Sequence, residues 1–211
     1  MFNMGVAYNE KGKKDIAIEC YKEAEANFDK AIKCFQQALE INPDFAEAYF
    51  NMGISYNEKD KKGKAIRCYK KAIEINPDYV KAYYNMGQAY CDKGDGYKAI
   101  RFYKKAININ PEDAEAYNNL GDAYCNIDKY KKAIECYKKA ININPGDAEA
   151  YNKLGDAYGK KGVLFRNVPP LKTYLFQKAS DYDKEIECFK KAAQLGCKST
   201  QDFLRKNGIS W

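Results

Sequence analysis

Histidine is absent from this chain of 211 residues. Histidine is the usual general base beside a Ser or Cys nucleophile, because its ordinary pKa lies near neutral pH. A Gly-rich phosphate loop is also missing, since the one run of that kind, Lys93-Gly94-Asp95-Gly96, falls in a turn between predicted helices. We therefore expect no catalytic residue and no enzymatic activity.

The eight cysteines form no CxxC pair. Without that spacing and without histidine, the sequence predicts no metal site, and nothing in it indicates a cofactor. Cys34 and Cys68 instead occupy equivalent places in a repeat, where we expect a separation of about 10 Å between packed helices. That separation exceeds the roughly 7 Å that a disulfide allows between Cα atoms. We expect all eight thiols to be reduced and most to be buried.

Long apolar runs are missing as well. No segment approaches the roughly 18 apolar residues of a membrane-spanning helix. The first residues, MFNMGVAYNEKGKK, lack the apolar core of a secretory signal. We expect a soluble, cytoplasmic protein with no membrane partner.

A repeat of 34 residues dominates what the sequence does contain. Its copies begin at Ala46, Val80, Ala114 and Ala148. A period of this length is typical of stacked helix pairs, in which each pair covers the apolar face of its neighbour. Each copy is preceded by an Asn-Pro pair, and proline cannot continue the preceding helix because it lacks a backbone N–H.

The repeated residues resemble the tetratricopeptide repeat. One copy carries all of that family's marks, namely Tyr83, Met86-Gly87 and Tyr90 in the first helix, then Ala99, Tyr103 and Ala106 in the second. The resemblance implies an all-α fold, a right-handed α-solenoid of stacked antiparallel helix pairs with a C-terminal capping helix. It also implies a protein–protein interaction scaffold.

We expect a single solenoid over residues 1–211. Its predicted parts are an atypical first repeat with a lengthened second helix (1–45), three regular repeats (46–79, 80–113 and 114–147), a repeat with an insertion at about 163–180 (148–197), and a capping helix with a tail (198–211). Asp44, Asp113 and Asp147 are predicted to cap the first helices that follow them.

The net charge is +7, and the basic residues are concentrated in the second helices. The family resemblance places second helices on the outer, convex side and first helices along a concave groove. A basic convex face favours solubility. Binding of nucleic acid or an acidic surface through this face is an alternative function, although we do not expect nucleic acid because the aromatic residues that would stack on bases are used in the core.

The resemblance further implies a peptide-binding groove along the first helices. Asn51, Asn85 and Asn119 occupy equivalent places, with Lys153 in the next copy, and a ladder of amides suits a peptide backbone because each amide both donates and accepts. The predicted groove is completed by two further sets of positions: Phe50, Tyr84, Asn118 and Asn152, and then Gln88, Asp122 and Asp156.

The predicted partner is a protein or peptide, bound as an extended segment or as a helix. The acids Asp122 and Asp156 predict basic character in that partner. The family's Lys, Asn and Arg clamp for a terminal carboxylate is not matched, because Asn85 stands where the Arg is expected. A self-assembling structural module is the other alternative, and we expect a homodimer because the array begins with an incomplete first helix.

Overall fold

A computed structural model of the protein describes residues 28–164 and 171–211, with side chains described for 28–161 and 180–211. These residues form helices and no strand, and the predicted all-α fold class is confirmed. The helices are α1 (Phe28–Ile41), α2 (Ala46–Glu58), α3 (Lys62–Ile75), α4 (Val80–Asp92), α5 (Gly96–Ile109), α6 (Ala114–Cys125), α7 (Tyr130–Ile143), α8 (Ala148–Leu164), α9 (Leu171–Gln194) and α10 (Lys198–Lys206).

The helices belong to two compact units, with the boundary between Ile109 and Asn110. The first unit contains α1 to α5 and the second contains α6 to α10. Within each unit, every helix packs against the next one along the chain. A single array running through both units stays a prediction from the sequence.

A glycine in each first helix packs against an aromatic ring of the second helix. A Cβ added at Gly53 would lie 2.5 Å from Tyr69, and one at Gly87 would lie 2.8 Å from Tyr103. In the second unit, Gly121 meets Tyr137 in the same way, at 2.5 Å. Real Cβ atoms do not approach so closely, so the pairing of first and second helices depends on the missing side chain.

Small residues line the same interface. The alanines that the repeat places in both helices are completely buried, and they are Ala65, Ala72, Ala82, Ala99, Ala106, Ala116, Ala123, Ala133, Ala140, Ala150 and Ala157. The tyrosine rings of the second helices fill the space between them. The core of each unit is therefore built from alternating small and large residues, as close packing requires.

The helix caps agree with the sequence at two of the three predicted positions. Asp113 and Asp147 each accept a hydrogen bond from a backbone N–H three residues on, at 3.0 Å in both cases. The prediction for Asp44 is wrong. Helix α2 begins at Ala46 and is preceded by Phe45, which makes no side-chain cap bond, so Asp44 lies one residue too early.

The irregular ends are helical where they are described. Helix α9 has 24 residues, so much of the predicted insertion forms the start of a long second helix. The tail contains helix α10, which packs against α9. The predicted long helix of the first repeat is described from Phe28 to Ile41, and its earlier half lies outside the described residues.

The seven described cysteines are free thiols, and Cys20 lies outside the described residues. The expectation that most are buried is wrong, because only Cys68 and Cys136 of the seven are buried and the other five are partly exposed. Burial raises the pKa of the Cys68 thiol to about 11. In the same described ranges, no helix combines the length and apolarity needed to cross a membrane.

The close approach of glycine to tyrosine predicts that an alanine substitution affects stability very differently at two glycines of one helix pair. We expect Gly53→Ala to lower the free energy of unfolding by about 1–3 kcal/mol, because the new methyl group overpacks the contact with Tyr69. Gly63 lies in the helix α3 with nothing within 4 Å of an added Cβ. Gly63→Ala is the matched control, and its stability should be unchanged or slightly higher. Urea denaturation followed by circular dichroism measures both, and equal effects would contradict the packing described.

Candidate functional site

A tyrosine hydroxyl reaches the same position of the first helix in two repeats. In the first unit, Tyr103 donates to the side-chain oxygen of Gln88 at 3.3 Å. In the second unit, Tyr137 donates to Asp122 at 2.7 Å. Burial and then the Asp122 charge raise the pKa of Tyr137, so its hydroxyl stays protonated as a donor. The buried ring of the second helix thus supports a polar side chain on the first.

Asp122 is also part of an ion pair with the next first helix. The Lys153 ammonium lies 2.9 Å from Asp122 and 2.9 Å from Glu149. Desolvation lowers the pKa of Lys153, but the hydrogen bonds to the two carboxylates outweigh it and the net pKa is raised. Two of the predicted groove residues therefore bind each other, and the negative charge of Asp122 is already compensated within the unit.

Asp156 occupies the position of Asp122 in the next repeat but lacks its donors. The aromatic residue that contacts the first-helix glycine there is Phe189, which packs on Gly155 and has no hydroxyl. Partial desolvation raises the pKa of Asp156, and the Lys160 charge opposes this only in part. Among the described residues, the ion pairs and hydrogen bonds do not include the Asp156 carboxylate.

A second carboxylate lies close to Asp156. Glu185 stands where the repeat places alanine, and its side chain is accommodated because Gly159 has no Cβ, which would lie 2.7 Å from the Glu185 carboxylate oxygen. Burial and then the Asp156 charge raise the pKa of Glu185. The two acids form a negatively charged surface in the second unit, which we call the Asp156–Glu185 pair.

The predicted aromatic residues of the groove are used in packing. Phe50 is only 7% exposed and contacts the rings of Tyr69 and Tyr79, with ring centroids 5.9 and 5.0 Å apart. Tyr84 lies edge-on to Tyr103 at 5.8 Å. These side chains stabilise the first unit and leave Phe50 with little surface for a ligand.

The equivalent asparagines of the second unit join one helix to the next. Asn118 is 7% exposed and donates at 2.8 Å to Asp147, the residue that caps α8. Asn152 accepts from the hydroxyl of Thr200 in α10 at 2.7 Å. This position therefore carries apolar contacts in the first unit and hydrogen bonds in the second.

The asparagine ladder differs in exposure from member to member. Asn51 is buried, with 4% of its surface exposed, whereas Asn85 and Asn119 are half-buried. The Asn85 side chain donates to the backbone oxygen of Lys81 at 2.9 Å. Binding of peptide backbone by these amides stays a prediction.

Sequence reasoning missed the importance of both Phe189 and Glu185. The signal was present, because aligned copies of the repeat show Phe where the others have Tyr and Glu where the others have Ala. It also missed a lysine-lined cleft on the second helices of the second unit. Within the part of the chain that the structure describes, no group of three His, Cys, Asp or Glu residues could hold a metal ion.

The repeat is recognised by models of a known family over most of the chain. The TPR repeat model matches residues 27–60, 55–94, 87–128 and 121–162, and a tetratricopeptide repeat model matches residues 1–26. The chain belongs to the tetratricopeptide repeat family. The family and its fold are those of protein-interaction modules, which are generally non-catalytic.

Solved structures of this family share the fold. A crystal structure of MamA protein is 28% identical and covers 94% of this chain and 95% of its own, with a TM-score of 0.71. MamA 41-end from Desulfovibrio magneticus RS-1 is 19% identical over 89% of this chain and 97% of its own, with a TM-score of 0.74. YrrB, described as a TPR protein with an unusual peptide-binding site, is 18% identical over 93% and 94%, with a TM-score of 0.71. No curated protein sequence matches this chain significantly.

The bonding of Asp122 predicts a difference in stability between two equivalent acids. We expect Asp122→Asn to lower the free energy of unfolding by about 0.5–1.5 kcal/mol, because Lys153 and Tyr137 lose their carboxylate. Asp156→Asn should leave stability unchanged or raise it, because a raised pKa means that folding disfavours the ionised carboxyl. Denaturation at neutral pH measures both variants. A double-mutant cycle with Lys153→Met should show coupling to Asp122, and additive effects would contradict the ion pair.

Proposed function

We propose that the chain is a protein-interaction scaffold whose first helices bind a peptide segment carrying a basic residue. The second unit takes that residue at the Asp156–Glu185 pair. The first helices are the surface on which the sequence predicts the groove. In the second unit, the half-buried amide of Asn119 holds the backbone of the bound segment.

The observation that carries this proposal is the difference between Asp122 and Asp156. Asp122 and Asp156 occupy equivalent positions and carry the same side chain. Of the two, only Asp122 has a tyrosine hydroxyl and a lysine ammonium within hydrogen-bond distance. In the repeat of Asp156, the ring that packs on the first-helix glycine is Phe189, which has no hydroxyl, and desolvation raises the pKa of Asp156. A carboxylate that lacks internal donors and pays a desolvation cost is stabilised by a cation from a partner.

The neighbouring Glu185 strengthens the same preference. Two carboxylates close together repel each other, which contributes to the raised pKa of Glu185. An arginine or lysine side chain placed between them relieves both the repulsion and the lost hydration. The partner recognised in this way has a basic side chain flanked by residues that the Asn119 amide contacts through their backbone.

A peptide library displayed on phage and selected on the intact chain tests the proposal. We expect the selected peptides to be enriched in Arg or Lys. Their synthetic versions should bind the Asp156→Asn variant about tenfold more weakly, which corresponds to the loss of one partly buried ion pair. Asn119→Ala should cost about 0.5–1.5 kcal/mol of binding free energy.

Two matched variants separate the Asp156–Glu185 pair from general charge effects. Asp183→Asn removes the same charge from an exposed position on α9 and should change the affinity by less than about twofold. Phe189→Tyr restores the hydroxyl of the other repeats, gives Asp156 an internal donor, and should weaken binding without removing charge. Selected peptides without basic residues, or equal losses in Asp156→Asn and Asp183→Asn, would contradict the proposal.

Self-association is the alternative proposal. Residues 80–113 and 114–147 differ little in sequence, so a helix pair of one copy can replace its equivalent in another, and exchange of like elements is a common route to dimers. We expect light scattering to show a mass that rises from 24.1 kDa towards twice that value with concentration. A mass that remains constant at the highest attainable concentration contradicts the dimer.

A further inference from the structure

Each described repeat carries a lysine over the ring of a first-helix tyrosine. Lys64 lies over Tyr56, and Lys98 over Tyr90, each with its ammonium nitrogen 5.3 Å from the ring centroid. Lys132 lies over Tyr124 at 5.7 Å. This contact is a regular cation–π interaction between the paired helices, and by itself it indicates packing and not a site.

The last repeat departs from this pattern, because three lysines approach one ring. The ammonium nitrogens of Lys138, Lys161 and Lys184 lie 5.9, 5.9 and 5.8 Å from the ring centroid of Tyr158. Lys161 is compensated by Asp181, which is 1% exposed and lies 3.0 Å away. Lys138 comes from the preceding second helix, α7, and Lys184 comes from α9.

A cleft of about 640 Å³ lies between α7 and α9 and above α8, and Lys138 and Lys184 line it. Lys190 and Lys191 of α9 also line it, so the lining contains four lysines and one acid, Glu187. In the described part of the chain, the ion pairs include none of these four lysines. Like charges converging on a concave surface produce a strongly positive potential, which attracts a multiply charged anion.

We propose that this lysine cleft binds an acidic peptide segment of a partner protein. Its volume lies in the range of clefts that hold small ligands or a few side chains. The lysines are mobile point charges and not the planar forks of arginine, and they suit several carboxylates held at variable spacing. The site lies on the second helices and is independent of the Asp156–Glu185 pair, which attracts the opposite charge.

The burial of Tyr158 in the cleft favours a peptide over a nucleic acid as the ligand. Tyr158 is only 7% exposed, and the lysines cover its ring. Single-stranded nucleic acid is held by stacking of its bases on accessible aromatic rings, in addition to phosphate contacts. The cleft presents lysine charges and no accessible aromatic ring for stacking. It therefore suits the carboxylate side chains of a flexible acidic peptide.

Fluorescence anisotropy with a short, fluorescein-labelled, Glu-rich peptide tests the inference on the full chain. We expect binding that weakens with salt, and no binding of the same peptide with Gln in place of Glu. The double variant Lys184→Gln with Lys191→Gln should bind the acidic peptide about tenfold more weakly. Circular dichroism confirms that each variant is folded.

The matched control removes the same charge from exposed lysines outside the cleft. Lys105→Gln with Lys139→Gln should reduce the affinity by no more than about twofold, the effect of net charge alone. Equal losses in the two double variants would overturn the proposal, because binding would then depend only on net charge. A single-stranded DNA oligonucleotide of equal charge that binds more tightly, and loses affinity through Lys184 and Lys191, would also overturn it in favour of a nucleic-acid site.

Discussion

The contact between a glycine of the first helix and an aromatic ring of the second determines most of what this molecule can do. It is repeated at Gly53, Gly87, Gly121 and Gly155, and in each case an added Cβ would lie within 2.8 Å of the ring. Because the ring must lie against the glycine, its far edge reaches the surface of the first helix. In two repeats, packing therefore brings a tyrosine hydroxyl to the first helix, where Gln88 and Asp122 accept its hydrogen bond.

Another position of the first helix changes its side chain along the chain but joins neighbouring helices in four repeats. It is occupied by Phe50, Tyr84, Asn118 and Asn152. Phe50 and Tyr84 join helices of the first unit through aromatic contacts, while Asn118 and Asn152 join helices of the second unit through hydrogen bonds to Asp147 and Thr200. A hydrogen-bonded junction tolerates burial of polar groups that an apolar junction would not. The change from aromatic to amide side chains at this position is therefore partly a change in how neighbouring helices are joined.

The fold could be predicted from the sequence almost completely, and the candidate site only in part. The 34-residue period and the glycine, alanine and tyrosine positions determine the helix pairs, because each helix has to bury one face against the next. The pairing of Asp122 with Lys153 was not predictable in this way, since it depends on the direction of two side chains from different repeats. Both residues were predicted as ligand contacts because the prediction assumed that equivalent positions of the repeat have the same surroundings. The cap at Asp44 failed for a similar reason, since an error of one residue in register moves a side chain away from the helix end.

Differences between the last repeat and the others concentrate unusual charge in one place. Glu185 replaces a buried alanine, and Gly159 removes the side chain that would collide with it, so the two changes compensate for each other. Phe189 removes a hydroxyl, and as a result Asp156 has no donor from the second helix. Lys138 of α7 and Lys184 of α9 converge on Tyr158 of the same repeat. A repeat that only had to stack would gain nothing from these substitutions, because two acids with raised pKa values and clustered lysines both oppose folding. Their cost is explained if the last repeat binds ligands of opposite charge at two sites, a basic segment at the Asp156–Glu185 pair and an acidic segment between the second helices.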